Sequence, residues 1–218
     1  MSNAITYDAA RRRITGLAED GDQDAPVAAC PGWTVKDVVA HLAAGLGDFT
    51  AGRFEGVRDG SWGERQVADR RDVALRDLFV EWERNFQSSE GVFDSPMGPV
   101  LVAEVVSHEH DIRAALGRPG DRDDVAVRAA LTRPLQELDR RLRAGGLPPL
   151  RVVLEHGERI LGEGEPTTTL RVSSFELLRV ITGRRSDEQT RALDWSADPG
   201  VWLPVLHLFG TRDTPLDE

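Results

Sequence analysis

Gly32-Trp33-Thr34-Val35-Lys36-Asp37-Val38-Val39-Ala40-His41-Leu42 is the stretch on which the fold turns. Thr34 is a good N-cap, because its hydroxyl can accept from an amide that has no partner inside the helix. Asp37 stands where a carboxylate closes a capping-box-like contact. Val35, Val38, Val39, Leu42, Leu46 and Phe49 then recur at helical spacing and form one apolar stripe. The spacing predicts an amphipathic helix whose stripe must be buried against other elements.

The flanking sequence supplies those elements. Ile5, Ala9, Ile14 and Leu17 predict a helix over 4–20, ended by the Gly/Asp-rich stretch from Gly21 to Pro26. A loop around Gly56 to Gly63 precedes a third helix over 64–88, carrying Val67, Val73, Leu75, Leu78, Phe79, Trp82 and Phe86. Ser95-Pro96-Met97-Gly98-Pro99 reads as a loop, and Val100 to Leu116 as a fourth helix stopped by Gly117 and Pro119. Four long helices with short connections predict an antiparallel bundle.

A fifth helix is expected over 123–143, followed by Gly145-Gly146 and Pro148-Pro149, where the domain boundary is placed: residues 1–146 and residues 147–218. Beyond it the periodicity changes. Residues 150–154 and 168–172 are short and rich in β-branched residues and predict strands, and Ser173 or Ser174 caps a helix ending at Gly183. A last helix is expected over 199–209. The fold class is α+β, mostly α: a helical bundle followed by a small α/β C-terminal domain.

The 218 residues are 40% hydrophobic and 29% charged, which excludes a disordered or fibrous chain. The longest purely apolar runs fall far short of the roughly 20 residues that cross a bilayer. Behind Met1 the sequence lacks the pattern of a secretory signal, so a cytoplasmic location is expected. A net charge of −10 repels a phosphate backbone, so nucleic acid is excluded as a partner, as is a membrane. Cys30 is the only cysteine, so any metal must be held by histidine and carboxylate rather than by a cysteine cluster. Lys36 is the one lysine beside 26 arginines, a bias typical of GC-rich coding sequence.

Three of the five histidines lie on bundle helices. Glu104 and His108 are one turn apart and project with Leu101 and Ala115 from one stripe of the fourth helix. His41 lies within about 60° of Val38 around its own helix, at the border of the buried stripe. Two imidazoles and one carboxylate suit zinc, and three protein ligands leave a fourth position open; nickel or iron also fits such a set. Asp111 is near the same face and is placed to accept a hydrogen bond from a ligand imidazole. His110 points about 200° away from His108 and reads as a surface or packing residue. Cys30, next to Pro31, reads as packing against Trp33, with no base to activate it. Arg184 and Arg185 follow the Gly183 stop, where they can bind a carboxylate or complement the helix dipole.

The segment from Gly32 to Leu42, together with Glu104-Val105-Val106-Ser107-His108-Glu109-His110-Asp111, resembles the metal-binding domain of the mycothiol-dependent maleylpyruvate isomerase family, itself a DinB-like four-helix bundle. Gly183-Arg184-Arg185-Ser186, Asp194-Trp195, Asp198-Pro199 and Phe209-Gly210 are similar to that family's closing motifs. The resemblance implies zinc, or another divalent metal, held by His41, Glu104 and His108. It further implies mycothiol as cofactor and an arginine beside the metal, either Arg184 or Arg185. The implied reaction is addition of the thiolate to a cis-unsaturated keto acid, rotation about the resulting single bond, and elimination to the trans product. With another small-molecule electrophile the same machinery would carry out S-transfer. The expected assembly is a monomer or a homodimer. Mycothiol is a thiol of actinobacteria, with which the arginine bias agrees. Two other readings stand beside this one: a non-catalytic metal-binding or regulatory bundle, and a zinc hydrolase needing no thiol.

Overall fold

Residues 2–57 and 60–218 are described by a computed structural model of the chain. They fall into two units, residues 1–120 and residues 121–218.

The first unit holds α1 (Asn3–Asp20), α2 (Val35–Ala51), α3 (Ser61–Ala68), α4 (Leu75–Gln87), α5 (Glu90–Phe93) and α6 (Gly98–Ala115). The helix that decides the fold begins as its sequence requires. The Asp37 amide donates to the Thr34 hydroxyl at 3.3 Å, and the Asp37 carboxylate accepts from the Thr34 amide at 2.9 Å. α2 packs on α4, α6 and α3, while α1 lies along α6, so α1, α2, α4 and α6 form the four-helix bundle. Its core is built from Ile14, Val38, Leu42, Leu46, Leu78, Leu101, Val105 and Ile112, all buried. Trp82 and Tyr7 share that core because the indole N–H finds a partner there, donating to the Tyr7 hydroxyl at 2.9 Å. Glu109, also buried, is matched by a bidentate Arg13 at 2.8 Å and by Arg113 at 3.0 Å.

The helix expected over 64–88 is two helices. Asp69-Arg70-Arg71-Asp72 offers no apolar side chain to bury, and the chain turns there. Arg70 ties the turn down through Glu81 at 2.7 Å and the Gln66 carbonyl at 3.3 Å. The expected loop over 56–63 is shorter, since α3 starts at Ser61; its Arg58 and Asp59 lie outside the described residues.

The second unit holds α7 (Val125–Ala130), α8 (Thr132–Ala144), β1 (Leu150–Leu154), β2 (Gly157–Leu161), β3 (Thr168–Arg171), α9 (Ser174–Ile181), α10 (Asp187–Arg191), β4 (Asp194–Trp195) and α11 (Leu203–Leu206). The sheet order is β2-β1-β3-β4, with β1 antiparallel to β2, parallel to β3, and β3 antiparallel to β4. Leu150, Val152 and Leu170 of the sheet are buried, as are Phe175, Leu178 and Ile181 of α9. The fold is therefore α+β and mostly α, as expected.

The boundary lies earlier than residues 146/147. Four long helices already complete the bundle, so the apolar stripe of α8, with Leu138 and Leu142 buried, belongs with β2 and α11 of the second unit. The break follows Gly117-Arg118-Pro119-Gly120, while the Gly145–Pro149 cluster only turns α8 into β1. The helix expected over 123–143 is also divided, at Leu131. Pro134 stands at the third position of α8, where a helix continuing from α7 would bring its ring against the Ala130 carbonyl. The helix expected over 199–209 shrinks to α11, since His207 is already extended at φ −85° and ψ 102°. β2 escaped the sequence reading because only Leu161 of its five residues is buried, which erases the alternation that marks a strand. Among the described residues no helix is long and apolar enough to cross a membrane.

Candidate metal centre

The bundle brings together the three side chains on which the sequence reading converged. α2 carries His41 and α6 carries Glu104 and His108, one turn apart. His41 Nε2 lies 3.1 Å from Glu104 Oε1. The His41 and His108 rings stand nearly perpendicular, at 78°, with centroids 5.2 Å apart. One ligand atom from each of the three residues lies within 4.8 Å of the other two. Both histidines are buried, and the Glu104 side chain retains 20% of its exposure. A tetrahedral cation bound at about 2.0–2.2 Å keeps its donors roughly 3.5 Å apart. Two imidazoles and a carboxylate at this spacing fit a zinc-type ion with small side-chain adjustments.

Each imidazole is held from behind. His108 Nδ1 lies 3.0 Å from Asp111 Oδ2, one turn further along α6, and Asp111 is buried. On the other side, His41 Nδ1 lies 2.8 Å from Gln66 Oε1, the Gln66 amide donates to Asp48 Oδ2 at 2.7 Å, and Arg53 Nε donates to Asp48 Oδ1 at 2.8 Å. Sequence reasoning named Asp111 and missed Gln66 and Asp48. Asp48 was open to discovery, because seven residues after His41 it returns to the same face of α2. Gln66 was not, since it arrives on α3, which no periodicity relates to α2.

The mouth of the site is set by the segment before α2. The Trp33 amide donates to the Cys30 carbonyl at 3.0 Å, with Pro31 and Gly32 between them and Gly32 at φ +88°. This is the geometry of a type II turn, which favours proline then glycine at its centre. The turn delivers two side chains. The Trp33 ring sits 5.1 Å from the His41 ring, and Trp62 closes another side at 5.6 Å. Gly63 makes room for this packing, because a Cβ there would lie 3.0 Å from Trp33 Cη2. The half-buried Cys30 does more than pack against its neighbours in sequence: its Sγ lies 3.8 Å from Asp111 Oδ2 and 3.9 Å from His108 Nδ1. Cys30, His108 and Asp111 thus form a second close group of metal-binding side chains. His110 belongs to neither group and is buried.

In the second unit, Gly183 ends α9 with φ +79°, and a Cβ there would fall 2.7 Å from the Gly210 carbonyl oxygen. Only glycine fits this turn, and the two arginines leave it in different surroundings. Arg185 is buried and bonded on all three nitrogens: Nε and Nη2 to Glu176 at 2.8 Å, and Nη1 to Glu218 at 2.6 Å. Burial alone would lower its pKa, but Glu176 and Glu218 together raise it above the ordinary guanidinium value. Arg184 is half-buried and donates from Nη1 to the Thr182 carbonyl at 2.6 Å.

Comparison with known proteins agrees with this architecture. Residues 6–95 match the family model of the mycothiol maleylpyruvate isomerase N-terminal domain, a span that includes His41 and stops short of Glu104 and His108. Among solved structures, the chain is similar to the crystal structure of the mycothiol-dependent maleylpyruvate isomerase, with a TM-score of 0.57 at 13% identity, covering 89% of this chain and 91% of that one. A histidine-to-alanine mutant of that isomerase gives a TM-score of 0.58 at 14% identity over the same shares. The curated proteins give no match. The resemblance drawn from the sequence is thus carried by a family model over the first helices and by a shared fold over most of the chain.

Proposed function

We propose that this chain is a metal- and thiol-dependent enzyme of the maleylpyruvate isomerase type, with zinc held by His41, Glu104 and His108 and mycothiol as its cofactor. The supporting observation is the convergence of these three side chains within 4.8 Å inside a bundle that shares the isomerase fold. When bound, the cation favours the thiolate form of a coordinated thiol and so supplies the nucleophile at neutral pH.

The protein's own residues provide the remainder. Asp111 and Gln66 hold the two imidazoles in place, so little reorganisation is left for the moment of reaction. Trp33 and Trp62 wall the His41 side of the site. The substrate carboxylate is assigned to an arginine of the Gly183 turn, Arg184 or Arg185, of which Arg185 also holds Glu176 and Glu218. The reaction so served would be cis–trans isomerisation of an unsaturated keto acid, for which a bound thiol would supply a nucleophile that adds and then leaves again, with no net change in atoms or oxidation state.

The deciding experiment is loss of the cis keto acid measured with and without mycothiol, on the wild type and on His108→Ala. Turnover is expected only with thiol present and only in the wild type. Hydrolysis of an ester or amide without thiol would replace this reading by a hydrolase. A wild-type protein that binds no metal and turns over no electrophile would replace it by a non-catalytic bundle.

A further inference from the structure

We infer that Gln66 is a positioning residue for His41: bridged between Asp48 and the imidazole, it holds the ring proton on Nδ1 and turns a bare Nε2 toward Glu104. The inference deepens the proposed function and rests on its reading of His41 as a ligand.

Asp48 receives Arg53 on Oδ1 through Nε and Nη2, both at 2.8 Å, and a carboxylate paired with a guanidinium accepts hydrogen bonds and donates none. The atom of Gln66 lying 2.7 Å from Asp48 Oδ2 must then be its amide nitrogen. The other end of the amide is therefore an oxygen. It lies 2.8 Å from His41 Nδ1, and an amide oxygen only accepts. The hydrogen in that contact belongs to Nδ1, and a neutral imidazole with its hydrogen on Nδ1 has a free lone pair on Nε2.

That outcome is not the one His41 would reach by itself. Glu104 Oε1 lies 3.1 Å from Nε2 and would welcome an Nε2–H donor. Such a bond would cover the lone pair that a metal needs and tie up the carboxylate as well. Gln66 removes this competing arrangement by claiming the proton on the opposite side of the ring. Packing keeps the ring from reversing its two nitrogens, with Trp33, Trp62 and His108 centred 5.1, 5.6 and 5.2 Å away. Gln66 and Asp48 are both buried, so water does not substitute for either bond.

The test uses the full chain, metal-free and labelled with 15N, at a pH where the ring is neutral. Long-range 1H–15N correlations report which nitrogen of His41 carries the proton, and chelator competition gives the zinc dissociation constant. The wild type is expected to be protonated on Nδ1. In Gln66→Leu the proton is expected to move to Nε2, with zinc binding weakened about 10–100-fold. The double variant Asp48→Asn/Gln66→Glu reverses the polarity of the bridge, so the carboxylate at position 66 accepts from both sides. It is expected to restore the Nδ1 proton and most of the affinity, which a merely space-filling role would not predict. A wild-type proton on Nε2 overturns the inference. So does an unchanged tautomer and affinity in Gln66→Leu, or a folded double variant whose proton rests on Nε2. If Gln66→Leu fails to fold, the wild type and the double variant still decide. A wild type protonated on Nδ1 that takes up no zinc would instead overturn the metal centre and leave this hydrogen-bond register standing.

Discussion

His41 on α2 and Glu104 on α6 approach within 3.1 Å, Nε2 to Oε1, although nothing in the intervening sequence links them. Two groups that could each be lone-pair donors are thus pressed together at the edge of a buried site. Such an arrangement is stabilised by a cation. Zinc is expected to raise the melting temperature of the wild type, by the equivalent of about 4 kcal/mol at a thousandfold excess over its dissociation constant. A chelator should remove that increment, and His41→Ala, Glu104→Ala and His108→Ala should each lack it. Thermal unfolding with and without chelator measures this.

Arg184 and Arg185 are expected to separate cleanly. Arg185→Ala takes the guanidinium from Glu176 and leaves the Glu218 side chain, 2% exposed, on Arg179 alone, and should cost about 1–3 kcal/mol of stability, read by urea unfolding. Arg184→Ala should leave zinc content unchanged, and if Arg184 is the arginine that meets the substrate it should raise KM for the keto acid at least roughly tenfold, the scale of one lost charge-assisted contact. A normal KM in Arg184→Ala would remove it from the substrate site.

Glu137 gives a pH dependence with a definite sign. Its bond to Arg140, then that to Arg141, overcome the upward push of partial burial and bring its pKa from 4.5 down to about 2. A carboxylate lowered on folding stabilises the protein fully above its ordinary value and loses that contribution as pH falls toward the folded value. The stability gap between the wild type and Glu137→Gln should therefore be constant above about pH 5.5 and close between pH 4.5 and 2. Urea midpoints across that range check it.

Thr34→Ala removes the hydroxyl that caps α2 and should lower stability by about 1 kcal/mol. Because Asp37 makes the reciprocal half of the box, Asp37→Ala should cost a similar amount and the double variant less than the sum. Additive losses in urea unfolding would show that the two halves act independently.

Much of this molecule is written locally. The Thr34/Asp37 cap, the stripe of α2, the Glu104/His108 pair on one face of α6 and the stop at Gly183 all depend on neighbours within a turn or two. They were legible for that reason. The elements that misled were those whose local signal was weak or broken: β2 with a single buried residue, the polar turn at 69–72, and α8, whose apolar face does not declare which unit it will join. Cys30 illustrates the same limit at the level of one atom. Its sequence neighbours are Pro31 and Gly32, yet its sulfur faces His108 and Asp111 on a helix far along the chain.

The sequence by itself determined α1, α2 and α6 of the bundle, the mixed α+β class and the three side chains of the candidate centre, since helical periodicity fixes which residues share a face. Only the tertiary structure decided that Gln66 and Asp48 stand behind His41, that Arg185 is bound by Glu176 and Glu218, and that α7 and α8 pack with the sheet. These are contacts between elements remote in the chain. Periodicity says which face of a helix is buried, and the packing of the whole chain says what that face meets.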